Sequence, residues 1–286
     1  MRFDLAAYMN ETKAQWESEI LNAERLPLWD KGKVALFDEN YRQAEPALIP
    51  YLIRDSTPRG AVIVSAGGSY GWKEPLEAFN HAKWLNEIGL HAFVLDYRVS
   101  PSTTHALLDI QRAVRVLRYN SSLYYISGDK IACMGFSAGG HLSGMLSEQF
   151  DYGDPSSSDP VERVSCRPDA QILCYPGITF QTFDHDFQKT VLGENYTDQD
   201  VTRTSLHLNA REDAPPIFFW GTENDFLFKD WLLFFSAIQE KKVPLDFHIF
   251  AGGQHSLGRE RTHSTWKQWS DLCETWLKEN GFIMVL

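Results

Sequence analysis

A chain of 286 residues that is 43% hydrophobic and 13% aromatic can bury a large core, which excludes an intrinsically disordered protein. Its formal charge of -11, with no Lys/Arg block anywhere, excludes nucleic acid and anionic membrane surfaces as partners, because both require a concentrated basic face. No apolar run is long enough to span a bilayer, and the opening "MRFDLAAYMNETKAQWESEI" lacks the apolar core of a secretory signal, so the expected location is the cytoplasm.

In chain order, residues 10 to 24 have the pattern of an amphipathic helix, and 25 to 46 that of an extended arm rich in Leu, Pro and Trp. Seven short apolar runs follow, "ALIPYLIRD", "GAVIVSA", "HAFVLDY", "KIACMGF", "AQILCYP", "PPIFFWG" and "PLDFHIF", suited to strands buried on both faces. Helical patterns at 76 to 89, 105 to 119, 138 to 149, 229 to 241 and 263 to 280 lie between or after them. This alternation predicts right-handed crossovers, a mostly parallel sheet with helices on both faces, and a ligand site at the carboxyl ends of the strands. Residues 151 to 169 and 177 to 213 interrupt it, and both are expected to overhang that site. The second, with "QTFDHDF" and "LGENYTDQDV", reads as a small cap insertion in a single domain spanning 1 to 286. Cys133, Cys166, Cys174 and Cys273 have no metal-ligand spacing and read as reduced, structural thiols.

The stretch "IACMGFSAGGHLSGML", 131 to 146, sets a serine among glycines between an apolar strand and a helix. It fits G-x-S-x-G, in which Ser137 occupies a tight strand-to-helix turn with its hydroxyl clear of the sheet. A Cβ at Gly135 or Gly139 would collide with the neighbouring elements, and Gly140 lets the helix pack closely. An alcohol is a weak nucleophile, so a serine in this role needs a base and a carboxylate to orient that base. Two later strands end in candidates: Asp225 in "PPIFFWGTENDFLF", with Glu223 as its rival, and His255 in "PLDFHIFAGGQHSLG". His248 reads as a residue of its strand, His141 as pointing away from the turn, and His263 as opening the last helix. Backbone donors for a developing oxyanion are expected from Gly68 and Ser69 in "VIVSAGGSYGW" and from Ala138.

With these residues in place, the chain from about residue 25 onward resembles bacterial acetyl esterases and acetylxylan esterases of the α/β-hydrolase fold, in the hormone-sensitive-lipase-like branch. The resemblance rests on "SAGGSY" at 65 to 70, "DYRVSP" at 96 to 101, "GFSAGGH" at 135 to 141, "PPIFFWGTEND" at 215 to 225 and "GGQHSLG" at 252 to 258. It implies Ser137 as nucleophile, His255 as general base and Asp225 as orienting acid. It implies Gly68, Ser69 and Ala138 as oxyanion donors, and an Asp109 to Arg112 ion pair near the sheet. Ser69 stands where the family carries a third glycine, and Ala66 where it carries Pro or His. The implied partner is a small-molecule ester, with acetyl-sugar hydrolysis suggested by the family. No cofactor and no metal are implied, and monomer and homodimer are both left open. Tyr70, Trp72, Phe180 and Phe183 are candidates for lining the substrate. A prolyl-oligopeptidase-type peptidase shares the serine elbow but carries a propeller domain for which this chain is too short. A non-catalytic hydrolase fold would ordinarily have lost one of the three residues that stand here.

Overall fold

The apolar runs pair into one eight-stranded sheet in a computed structural model that describes residues 4–37, 45–99 and 102–284. Its strands are β1 (Leu26–Pro27), β2 (Ala47–Tyr51), β3 (Arg59–Ser65), β4 (His91–Asp96), β5 (Ile126–Phe136), β6 (Ala170–Cys174), β7 (Ile217–Thr222) and β8 (Leu245–Phe250). They lie in the order β1-β2-β4-β3-β5-β6-β7-β8. β2 pairs antiparallel with β1 and β4, and every pairing from β4 to β8 is parallel. This is the α/β-hydrolase fold.

The helices are α1 (Leu5–Ile20), α2 (Pro75–Glu87), α3 (Thr103–Tyr119), α4 (Ala138–Glu148), α5 (His185–Leu192), α6 (Asp198–Arg203), α7 (Phe228–Glu240) and α8 (Ser264–Glu279). Alternation along β7 puts them on both faces. Phe219 meets Trp231 of α7, whereas its neighbour Trp220 stacks on Trp269 of α8 with ring centroids 4.9 Å apart. Burying side chains of this size contributes roughly 1.5–3 kcal/mol each, so the two-sided sheet is the main source of stability.

The order reverses around β3, whose neighbours β4 and β5 are both reached by crossovers, and a crevice opens there beyond the strand ends. Ser65 is in register with Gly135, so the "AGGSY" loop after β3 and the serine turn after β5 start side by side. Three expectations change. α1 begins at Leu5 because Asp4 caps it by accepting the Ala7 N–H at 3.1 Å. Residues 151 to 169 follow α4 and not a strand, so they run to the opposite edge of the sheet, where Asp169 N–H bonds Ile131 and Asp151 and Glu162 bind α3. The expected Asp109–Arg112 pair does not form. Arg98, at the end of β4, offers Asp109 both a guanidinium at 2.6 Å and its own N–H at 2.8 Å, while Arg112 turns outward to Asp159 and Glu162. Part of the 25 to 46 arm (38–44), and Ser100 and Pro101 of "DYRVSP", lie outside the described residues.

Candidate active site

The serine turn is built by close approach. A Cβ on Gly135 would stand 2.0 Å from the Gly139 carbonyl oxygen, and one on Gly139 would stand 2.1 Å from the Ser65 oxygen. Ser137 itself sits at φ 51°, ψ -115°, a conformation costing about 1–3 kcal/mol. The surroundings impose it: Ser137 N–H donates to Cys174 at 3.0 Å, and its carbonyl accepts from His141 and Gly177. The strain lifts Oγ off the sheet and into a cavity of about 520 Å³.

Three strand ends meet in that cavity. His255 Nδ1 lies 2.8 Å from Asp225 Oδ2, and Ser137 Oγ lies 2.8 Å from His255 Nε2. The other Asp225 oxygen accepts the Leu227 N–H at 2.9 Å, so both lone-pair faces of a fully buried carboxylate are used. A carboxylate can only accept. Nδ1 therefore carries the proton of the neutral imidazole, and Nε2 is the acceptor for the serine hydroxyl. Phe226 packs on the imidazole at 4.8 Å and Tyr175 meets it edge-on at 5.2 Å. Glu223 turns away to accept the Gly252 N–H at 2.9 Å, which steadies the start of the histidine loop.

Gly68, Ser69 and Ala138 border the cavity beside Ser137. Gly68 (φ 123°) and Ser69 (φ 51°) both have positive φ, and the Gly68 carbonyl is turned into the loop, where it accepts from Gly71 and Trp72. Tyr70, Trp72, Phe180 and Phe183 also line the cavity. His141 does not point away, as the sequence implied. It is a buried wall residue, because the first turn of α4 runs beneath the cavity. Its Nε2 donates to the Thr204 carbonyl at 2.7 Å, leaving Nδ1 to accept from Tyr70 Oη at 2.8 Å. Burial pushes the His141 imidazole down to about 4, against the Thr204 hydrogen bond, so it stays neutral. His248 lies in β8 with its ring 5.0 Å from that of Phe218 on β7, and His263 caps α8 by accepting the Thr265 N–H.

Two walls carry residues that the sequence reading missed. The segment after β6 adds Gly177 and Phe187 to the expected Phe180 and Phe183, and it is fastened at its base by Leu206 N–H to Ile178 O at 2.8 Å and Thr179 to Ser205 at 2.7 Å. Opposite stands α1, which brings Leu5 and Tyr8 to the cavity. Trp16 anchors that helix against Phe79 and donates to the buried Asp96, which also pairs with Arg25 and Lys73. Tyr8 Oη donates to Glu74 at 2.5 Å, and Arg259 lies 3.5 Å from the same carboxylate. Arg259 and Phe226, each within four residues of a candidate, could have been found by adjacency; Tyr8 carries no local signal.

Residues 54–225 match the BD-FAE family, a span holding both Ser137 and Asp225. The chain is 38% identical over 221 residues to endo-1,4-β-xylanase B of Butyrivibrio fibrisolvens, covering 74% of this chain and 34% of that protein. It is 26% identical to an acetylxylan esterase of Xylanibacter ruminicola, covering 78% of this chain and 45% of the relative. It thus spans less than half the length of either relative. A crystal structure of an acetyl ester-xyloside bifunctional hydrolase from Caldicellulosiruptor lactoaceticus is 40% identical with a TM-score of 0.87, covering 92% of this chain and 98% of that one. Since the family match runs from just before β3, through the serine turn, to the aspartate hydrogen bonded to His255, the chain belongs to the BD-FAE family and resembles acetylxylan esterase.

Proposed function

We propose that the protein is a serine carboxylesterase that removes short acyl groups, acetyl first, from sugar esters such as acetylated xylo-oligosaccharides. The observation that carries this reading is the hydrogen-bonded series Ser137, His255 and Asp225 beside the bare backbone of Gly68 and Ser69. In the proposed reaction Ser137 Oγ attacks the ester carbonyl as His255 Nε2 takes its proton. The carbonyl oxygen, now negative, is held by the N–H groups of Gly68, Ser69 and Ala138, each such donor contributing ~3 kcal/mol to the transition state. His255 returns the proton to the leaving alcohol oxygen, and the acyl-enzyme is hydrolysed by a water that His255 activates in turn. Asp225 keeps the proton on Nδ1 throughout and stabilises the imidazolium.

The cavity has two chemistries, which supports an orientation. Tyr70, His141 and Phe180 form a closed aromatic wall suited to a methyl group. Tyr8, Trp72, Glu74, Ser256 and Arg259 form a polar side that adjoins the His255 loop, where the departing alcohol must lie. Trp72 keeps a buried indole N–H with no acceptor among the described residues, suited to a sugar oxygen. Residues 177 to 213 then act as a fixed cap over the acyl side. The names of the relatives supply the acetyl and xylan parts of the reading. A cytoplasmic setting is proposed on four free, buried thiols.

The test is labelling by a fluorophosphonate together with hydrolysis of p-nitrophenyl acetate and an acetylated xylo-oligosaccharide. Labelling and acetate release that both vanish in Ser137→Ala support the reading. A wild-type protein that is neither labelled nor active overturns it.

A further inference from the structure

Beneath the loop after β3 lies a buried carboxylate that the reaction above does not use. Glu77, in the first turn of α2, is 3% exposed. Its Oε2 accepts the Gly67 N–H at 2.8 Å and its Oε1 accepts the Tyr175 hydroxyl at 2.8 Å. Burying a carboxylate is costly even when it is hydrogen bonded, and fold stability alone would favour an apolar residue here. Burial raises the Glu77 carboxyl above its ordinary range, while Arg259 nearby favours its charge. Its contact with the loop gives the reason for keeping it.

Gly67 is pressed between Glu77 and the serine turn: a Cβ there would stand 2.6 Å from Glu77 Oε2 and 2.8 Å from Ser137 Cβ. The next two peptides are also held by their carbonyls. Gly67 C=O accepts from Glu74 N–H at 3.1 Å, and Gly68 C=O accepts from Gly71 N–H at 2.8 Å. In a trans peptide the N–H points opposite the C=O, so fixing these carbonyls inward turns the N–H groups of Gly68 and Ser69 outward. Glu77 fixes the first plane of the three.

Resting on the esterase reading, we propose that Glu77 is a positioning residue for the oxyanion donors, holding the Ala66–Gly67 peptide so that the Gly68 and Ser69 N–H groups meet the developing negative oxygen. Its contribution then belongs to the transition state and not to substrate binding.

The experiment compares Glu77→Leu, Glu77→Gln and Tyr175→Phe in the full chain. It reads kcat and KM on p-nitrophenyl acetate and the inhibition constant of an aryl trifluoromethyl ketone, whose adduct with serine carries an oxyanion. Glu77→Leu should lower kcat roughly 10 to 100-fold with KM within about threefold, and weaken the ketone by the same factor. Glu77→Gln should stay within about fivefold of wild type, because its amide oxygen still accepts the Gly67 N–H and the Tyr175 hydroxyl can turn to accept. Tyr175→Phe should stay within about threefold, since it leaves the Gly67 contact intact. A folded Glu77→Leu with unchanged kcat and ketone affinity overturns the proposal. So does a Glu77→Gln or Tyr175→Phe protein that loses as much as expected of Leu, and those two decide the matter if Glu77→Leu does not fold. Failure of the wild type to hydrolyse the ester or take the fluorophosphonate refutes the esterase reading itself, whereas an active wild type with an indifferent Glu77→Leu refutes this assignment alone.

Discussion

Asp225 and His255 stand 30 residues apart, after β7 and β8, yet Oδ2 and Nδ1 meet at 2.8 Å while the aspartate side chain is wholly buried. With Leu227 N–H on its second oxygen, Asp225 has one orientation available, and it dictates which imidazole nitrogen faces Ser137. Asp225→Asn should therefore leave the fold intact and lower kcat by ~10⁴, through loss of the correct tautomer. Ser137→Ala and His255→Ala should each remove most hydrolysis, and the double variant should be hardly worse, because the groups act as a unit. Steady-state kinetics on purified variants measures both. Additive losses, or a larger effect from Glu223→Gln than from Asp225→Asn, would show that the groups are wrongly assigned.

Acyl length is expected to be set by Ser69 and by the Tyr70, His141 and Phe180 wall. Wild-type kcat/KM should fall from acetyl to hexanoyl esters, and Phe180→Ala should improve hexanoyl over acetyl by roughly 1–3 kcal/mol for each methylene the enlarged space accepts. Ser69→Gly should flatten the fall and keep activity, since glycine takes the φ of 51° without cost. A chain-length series on the three proteins decides. A wild-type optimum at hexanoyl is incompatible with this wall.

The polar side of the cavity depends on α1. Removing the Tyr8 hydroxyl as Tyr8→Phe loses a hydrogen bond to a carboxylate, of the kind worth about 1.5–3 kcal/mol, and frees Glu74 to move. For an acetylated xylo-oligosaccharide KM should rise, with kcat nearly constant. For p-nitrophenyl acetate, whose alcohol has no hydroxyls to place, neither should change. Equal effects on both esters would mean that Tyr8 supports the loop and not the sugar.

Two buried histidines give a signed pH dependence of stability. Burial holds His81, packed between Phe136 and Trp269, down to about 3, and His141 down to about 4. Their pKa is lower folded than unfolded, so below the unfolded value of about 6.5 the unfolded chain binds more protons and stability falls as the pH falls. At pH 5 each should have lost roughly 2 kcal/mol relative to pH 8. Urea unfolding of wild type and His81→Phe at both pH values should show a smaller drop in the variant by that amount. An equal drop in both would place the acid sensitivity elsewhere.

Seven strands, the parallel sheet and the serine turn were legible in the sequence because each rests on local rules: β-branched and aromatic runs pair in a buried sheet, and Gly135 is required by its contact with Gly139 within the turn itself. Asp225 and His255 could be named because strand ends in such a sheet point to one edge. Other features depended on distant partners. Asp109 pairs with Arg98 and not with the Arg112 that the resemblance implied, because the packed chain sets the end of the neighbouring strand against it. His141 faced the cavity because Tyr70 and Thr204, from two separate loops, took both of its nitrogens. Glu77 reached Gly67, and α1 crossed to the pocket through Trp16, Asp96 and Glu74, by contacts between residues up to 80 positions apart. Hydrophobic period and turn chemistry determine which elements form, but which buried polar group meets which is decided only when the packed chain brings distant partners within hydrogen-bond reach.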